Sequence, residues 1–186
     1  MGRSNARRWA ERSGTMNVLI VVDMQNDFID GALGTPEAVK IVPAVRKRIE
    51  LANERGETVI FTRDTHFEDY MDTLEGKNLP VPHCIKQTEG WEISSALPVG
   101  DALILDKPTF GSVDLGRCLL TLQPERVELI GLCTDICVIS NALLVKAFLP
   151  QTPVAVDAAC CAGVSPESHK TALDAMRVCQ IEVLNA

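Results

Sequence analysis

Asp23, Asp64, His66, Lys107 and Cys137 are the residues with which this chain could do chemistry, and each closes or follows a short apolar run. Asp23 ends NVLIVVD, Asp64 ends TVIFTRD with His66 two residues on, Lys107 follows ALILD, and Cys137 follows RVELIGL in the stretch GLCTDICV. A carboxylate can move a proton, an ammonium can hold an anion, a thiol can attack a carbonyl carbon, and a carboxylate near an imidazole is a possible metal pair. The first question is whether these four segments meet.

Each residue has a plainer reading. Asp23 fits a turn cap, Lys107 before Pro108 fits a solvated loop lysine, and Cys137 fits a small buried hydrophobe. Cys133 and Cys137 have CxxxC spacing, which matches neither a thioredoxin-type CxxC nor a zinc ribbon, and a disulfide or redox pair stays open. What favours chemistry is the shared address. With Thr134 as N-cap, Cys137 falls at N3 of a helix, where backbone N–H groups and the helix dipole favour a thiolate. A thiolate attacking an amide needs a base and an oxyanion site. With only three histidines in the chain, Asp23 as base and Lys107 as electrostatic partner are the available substitute for a Cys–His pair.

The elements that must position them alternate. Continuous apolar strands are expected at 17–23, 58–64, 102–106, 126–132, 153–157 and 179–184. Helical patterns fall at 36–54 after Thr35-Pro36, at about 113–121, at 135–148, and at 166–178 after Ser165-Pro166. Strands apolar on both faces and separated by helices predict a single-domain, three-layer α/β/α fold with a six-stranded parallel sheet. Ligands bind outside the carboxyl ends of such strands, where all the reactive residues lie. Residues 65–98, with prolines at 80, 82 and 98 and histidines at 66 and 83, have no clear period, and a long loop in a small domain is usually functional. Asp157 is expected to end a strand as a cap or structural partner, and His169, early in the last helix, to be structural.

Bulk properties narrow the partners. The 186 residues suit one domain, and 46% hydrophobic with 23% charged residues is ordinary for a globular protein. A net charge of -7 and no basic stripe argue against nucleic acid. Apolar runs of strand length argue against a membrane span. Seven scattered cysteines suit reduced thiols in the cytoplasm better than a disulfide framework. Residues 1–15 are arginine-rich and precede Met16, which suggests a non-native or disordered extension, with a transit peptide as the alternative, ahead of a domain at 16–186.

Taken together, VVDMQNDF (21–28), DKPTFGS (106–112) and GLCTDICV (131–138) resemble the isochorismatase-like cysteine hydrolases, in order and spacing, over residues 17–186. The resemblance implies a catalytic triad of Asp23, Lys107 and Cys137, a cis Leu132–Cys133 peptide bond, and an oxyanion hole made of the backbone N–H groups of Cys133 and Cys137. Asp64-x-His66 followed by His83 after prolines is similar to the metal site of the nicotinamidases in that family. Glu75 is then the candidate fourth ligand, with Glu68 its competitor, for zinc first and iron(II) or manganese otherwise. By the same resemblance Phe28 and Leu33 line the substrate pocket, and relatives are homo-oligomers, dimers or tetramers. Some nicotinamidases carry a ring-stacking aromatic where this chain has Pro80; Trp91 is the candidate replacement. The function implied is hydrolysis of nicotinamide or another small amide. The alternatives are a different amide or ureide, the vinyl ether of isochorismate, a silent binding module, and a thiol redox protein.

Overall fold

The computed structural model describes residues 16–186; the expected extension at 1–15 lies outside the described residues. Six parallel strands form one sheet in the order β3-β2-β1-β4-β5-β6: β1 (Asn17–Val22), β2 (Thr58–Asp64), β3 (Leu103–Lys107), β4 (Arg126–Leu132), β5 (Val154–Ala162) and β6 (Glu182–Leu184). The order reverses between β1 and β4, so the crevice at the top of the sheet opens over those two strands.

Helices cover both faces. On one side, α1 (Asn26–Ile29) and α2 (Pro36–Glu54) bury Phe28, Ile41, Val45 and Ile49 against Leu19, Val21, Phe61 and Ile130. On the other, α4 (Val113–Leu122), α5 (Ile139–Phe148) and α6 (Pro166–Val178) bury Leu115, Leu119, Val145, Leu173 and Met176 against Val18, Ile20, Val22 and Leu129. Odd and even positions of β1 thus feed different cores, as strand alternation requires. α2 starts where Thr35 accepts from the Ala38 N–H and Pro36 takes the first turn. α6 starts with a Ser165/Ser168 capping box followed by Pro166. The short helix α3 (Leu74–Asn78) sits in the 65–98 loop with Thr73 as N-cap.

Three expectations change. β5 does not end at Asp157 but continues to Ala162, because Ala158, Cys160, Cys161 and Ala162 are small enough to stay buried there. A register shift against β4 absorbs the extra length, Leu129 facing Val156 and Gly131 facing Cys161. Asp157 therefore sits inside a strand, where its carboxylate accepts from the Ala159 N–H and the Asn185 side chain. Cys179 caps α6, and β6 begins only at Glu182. Lys107 is the last residue of β3, not the residue after it, and pairs in register with Asp64.

Candidate functional site

Strand register assembles the first part of the site. Asp23 follows β1 with φ of 47°, a left-handed conformation that aspartate tolerates, and its N–H donates to the Thr62 carbonyl of β2. One strand further out, Asp64 and Lys107 lie side by side at the ends of β2 and β3. On the other flank of β1, Gly131 near the end of β4 has φ of 115° and comes so close to Val22 that a Cβ would collide with the Val22 carbonyl oxygen. After it the Leu132–Cys133 peptide bond is cis.

Lys107, only 1% exposed, ties the segments together. Its Nζ lies 2.7 Å from Asp23 Oδ2, 3.0 Å from Asp64 Oδ1 and 3.5 Å from Cys137 Sγ. Thr62 Oγ1 donates to Asp23 Oδ1 at 2.7 Å. Asp23 Oδ2 is buried, in ion-pair contact with Lys107 but without an aligned donor, so one carboxylate lone pair is left for a proton.

The electrostatics follow from burial. Desolvation lifts the Asp23 carboxyl above its ordinary value in spite of Lys107, which makes it a stronger base than a surface aspartate. Burial and then the Asp23 charge push the Cys137 thiol up, against the pull of Lys107. Burial opposes the Lys107 charge, but Asp23, Cys137 and Asp64 more than compensate and hold the ammonium firmly protonated. The resting pair is thus a thiol beside a basic carboxylate. Burial and the Asp23 charge thus act against the thiolate that the helix position favours.

The turn carrying Cys137 also differs from expectation. Thr134–Val138 is a π-helical turn capped by Cys133, leading into α5. Thr134 is inside the turn and is not its N-cap; its hydroxyl meets His169 Nδ1 at 2.8 Å. The Cys133 carbonyl accepts from Ile136 and Val138. Asn141 clamps the far side, donating to the Cys137 carbonyl and accepting from the Ser112 N–H. His169 thus ties the turn that carries Cys137 to α6. Burial pushes the Cys133 thiol up to about 12, and Cys133 lines the pocket.

Beside the triad, Asp64, His66, Glu75 and His83 offer one donor atom each, all within 4.8 Å of one another. His66 Nε2 is 3.1 Å from Asp64 Oδ2 and 3.7 Å from Glu75 Oε1, and His83 Nε2 is 3.8 Å from each of those two residues' oxygens. His83 Nδ1 donates to the Val81 carbonyl at 2.8 Å, which leaves Nε2 as the bare, inward-facing nitrogen. Burial raises Asp64, but hydrogen bonding from His66 and the Lys107 charge outweigh it, so the carboxylate is held ionised. Two imidazoles and two carboxylates converging on one point fit a divalent ion of the zinc, iron(II) or manganese class. Glu75 is in this set; Glu68 is exposed and is not.

The sequence reading missed the groups that hold this loop. The Gln25 side chain, fully buried, accepts from the Asp64 N–H and donates to the carbonyls of Asp64 and Trp91. Asp27 accepts from the Cys84 N–H at 2.7 Å, next to His83. Tyr70, the chain's one tyrosine, wedges against both imidazoles, 4.7 Å from His66 and 5.1 Å from His83 between ring centroids, and its hydroxyl donates to Leu79. Gln25 and Asp27 lie in the VVDMQNDF segment already singled out for Asp23, so their signal was present; nothing near Tyr70 marked it.

Cys137, with Asp64, Glu75 and His83 of the four-residue cluster, lines one cavity of about 540 Å³. Phe28, packed on His83 at 5.5 Å, and Leu33 are among its lining residues. Trp91 is not: it is buried beneath the Arg63 guanidinium, 3.4 Å from the ring centroid, and its indole N–H donates to Thr65. Phe110, three residues past Lys107, reaches the cavity in its place.

Residues 17–186 match the isochorismatase domain family model. The chain belongs to the isochorismatase family. Among solved structures, the pyrazinamidase of Pyrococcus horikoshii in complex with zinc is 31% identical with a TM-score of 0.80, covering 91% of this chain and 99% of its own. The N-carbamoylsarcosine amidase of Thermoplasma acidophilum is 29% identical with a TM-score of 0.76, covering 91% and 95%. The nicotinamidase/pyrazinamidase of Mycobacterium tuberculosis is 27% identical over 91% of this chain and 98% of its own. Family membership agrees with the six-stranded parallel sheet and the site at its carboxyl edge.

Proposed function

We propose that this isochorismatase-family chain is a metal-dependent cysteine amidohydrolase whose substrate is nicotinamide, released as nicotinate and ammonia. The observation that carries the reading is Lys107: one buried ammonium in contact with the base, the nucleophile and a carboxylate of the metal tetrad, so that both centres act on one bound molecule.

Asp23 takes the Cys137 proton and Sγ attacks the carboxamide carbon. The oxyanion turns toward the backbone N–H groups of Cys133 and Cys137, which need no reorganisation to receive it. Asp23 then passes its proton to the departing nitrogen, the C–N bond breaks, and ammonia leaves a thioester on Cys137. Water enters, Asp23 removes its proton, and the oxygen attacks the thioester carbon. The acid departs and the sulfur recovers the proton from Asp23. Lys107 keeps each anionic partner in register through both halves. Held by Asp64, His66, Glu75 and His83, a divalent ion, zinc first, would supply Lewis acidity and a polarised water.

The test is ammonia release from nicotinamide by metal-reconstituted protein, beside Cys137→Ala and chelator-treated samples. Release lost in both controls supports the reading; full release by Cys137→Ala ends it. The likeness to an N-carbamoylsarcosine amidase favours a second reading, a ureide or other small amide cleaved by the same triad, and release from that class with none from nicotinamide would select it. The reading carries with it a small-molecule partner, a cytoplasmic location and a homo-oligomer. All seven cysteines are free, as a reducing compartment requires, and no helix among the described residues is long and apolar enough to cross a membrane.

A further inference from the structure

The cavity is larger than a single-ring amide and its mouth is apolar. A liquid allots about 30 Å³ to each water, that is, to one non-hydrogen atom; on that generous allotment a pyridine carboxamide of about nine such atoms takes roughly 270 Å³. An ion with two or three waters takes roughly 90 Å³ more. Of the 540 Å³ this leaves space for about six further atoms.

The polar end is the floor. Asp64, Glu75 and His83 come within 4.8 Å of one another there, and Asp64 and Cys137 share Lys107, so the carboxamide lies at that end. Three separate segments add large side chains left partly in water to the lining: Leu74 (78% exposed) and Leu79 (38%) from the start and the C-cap of α3, Phe110 (45%) from the exit of β3, and Val164 (57%) from the exit of β5. Isolated exposed apolar residues need no explanation, but four around one opening form a patch of the kind that marks a binding site. The wall is also unlike a tight stacking slot. Trp91 is buried under Arg63 and Pro80 does not reach the cavity, so neither narrows it, and its apolar lining includes Phe28, Leu33, Leu74, Leu79, Phe110 and Val164.

We propose that the preferred substrate is an aromatic carboxamide bearing an apolar substituent on the ring side away from the carboxamide, of about the size of a propyl to phenyl group, seated on Leu74, Leu79, Phe110 and Val164. This rests on the amidohydrolase reading above and names the substrate class of that same site. Recognition is by burial: each methylene moved from water to this wall gains about 0.8 kcal/mol, about fourfold in affinity or in kcat/KM.

The experiment compares nicotinamide with nicotinamides carrying methyl, propyl and phenyl groups on the ring carbons away from the carboxamide, measuring kcat/KM by ammonia release with the metal-loaded enzyme. The expected result is a rise of at least tenfold from nicotinamide to the propyl or phenyl compound. Phe110→Ser should reduce that gain by at least fivefold, read as the ratio of kcat/KM for the extended compound to kcat/KM for nicotinamide in the same variant. Turnover of nicotinamide with equal or poorer turnover of every extended compound overturns the proposal and leaves the amidohydrolase reading standing. A gain that survives in both Phe110→Ser and Leu79→Ser overturns the assigned wall. No ammonia from any carboxamide overturns both.

Discussion

The triad and the metal tetrad face each other across Lys107, yet they are held by different means. Asp23 and Lys107 are placed by strand register and Cys137 by the turn that leaves β4: Asp23 is tied to Thr62, Lys107 pairs with Asp64, and Gly131 lets β4 close on β1. Asp23 follows a strand paired on both sides, and Lys107 ends the edge strand β3, held by its ladder to β2. His66, Glu75 and His83 hang on a loop with one turn of 3₁₀ helix and the short α3, and what fixes them is side chains: Gln25 on Asp64, Asp27 on Cys84, Tyr70 between the imidazoles. The proposed reacting atoms are therefore built on strand ends and the turn after β4, and the proposed ion-holding wall is a graft that depends on a few buried polar clamps.

The comparison can be broken most forcefully at its two ends. Cys137→Ala should lower ammonia release by about 10⁴ or more with the folding transition unchanged, since catalysis through a nucleophile vanishes with it; retained release would remove the triad from the argument. Lys107→Met strikes both regions at once. It leaves the Asp23 carboxylate buried without a counter-charge, with Asp64 keeping only His66, and should cost about 3–5 kcal/mol of stability, read by denaturant titration. A loss under about 1 kcal/mol would mean that the two carboxylates do not depend on it.

Smaller changes sharpen the contrast. Gln25→Leu removes the clamp on Asp64 without touching a donor atom, and should weaken zinc binding about 10- to 100-fold by calorimetric titration, with kcat at saturating metal within a few-fold of the parent. Equal loss in kcat at all metal concentrations would show that Gln25 serves the triad instead. The smallest effect is at His169, where burial holds the imidazole below its usual 6.5. The folded chain binds that proton more weakly than the unfolded one, so the stability it contributes is complete above about pH 6.5 and falls away as the pH drops through the lowered value. His169→Gln should lose part of this acid-side decline relative to the parent; an unchanged slope would show that the Thr134 contact carries no linkage.

Sequence pattern alone was enough for the sheet, the two proline-started helices and the addresses of Asp23, Asp64, Lys107 and Cys137, because apolar runs, caps and strand ends are local properties written residue by residue. It stopped at β5, where Ala158–Ala162 looks too small and mixed to extend a strand and is buried only because β4 shifts register beside it. It could not say that Trp91 lies under Arg63 or that Phe110 reaches the pocket, because a side chain's direction in an aperiodic loop is set by partners far away in sequence. Nor could it give the protonation of Cys137. The helix position argues for a thiolate, but burial and the Asp23 charge together argue harder for the thiol, and both act only once four distant segments have closed over the sulfur and shut water out. Residue types and spacing determined which chemistry is present; desolvation and long-range contacts, which exist only in the folded chain, decided its charge state, its ion-holding wall and the shape of what it can bind.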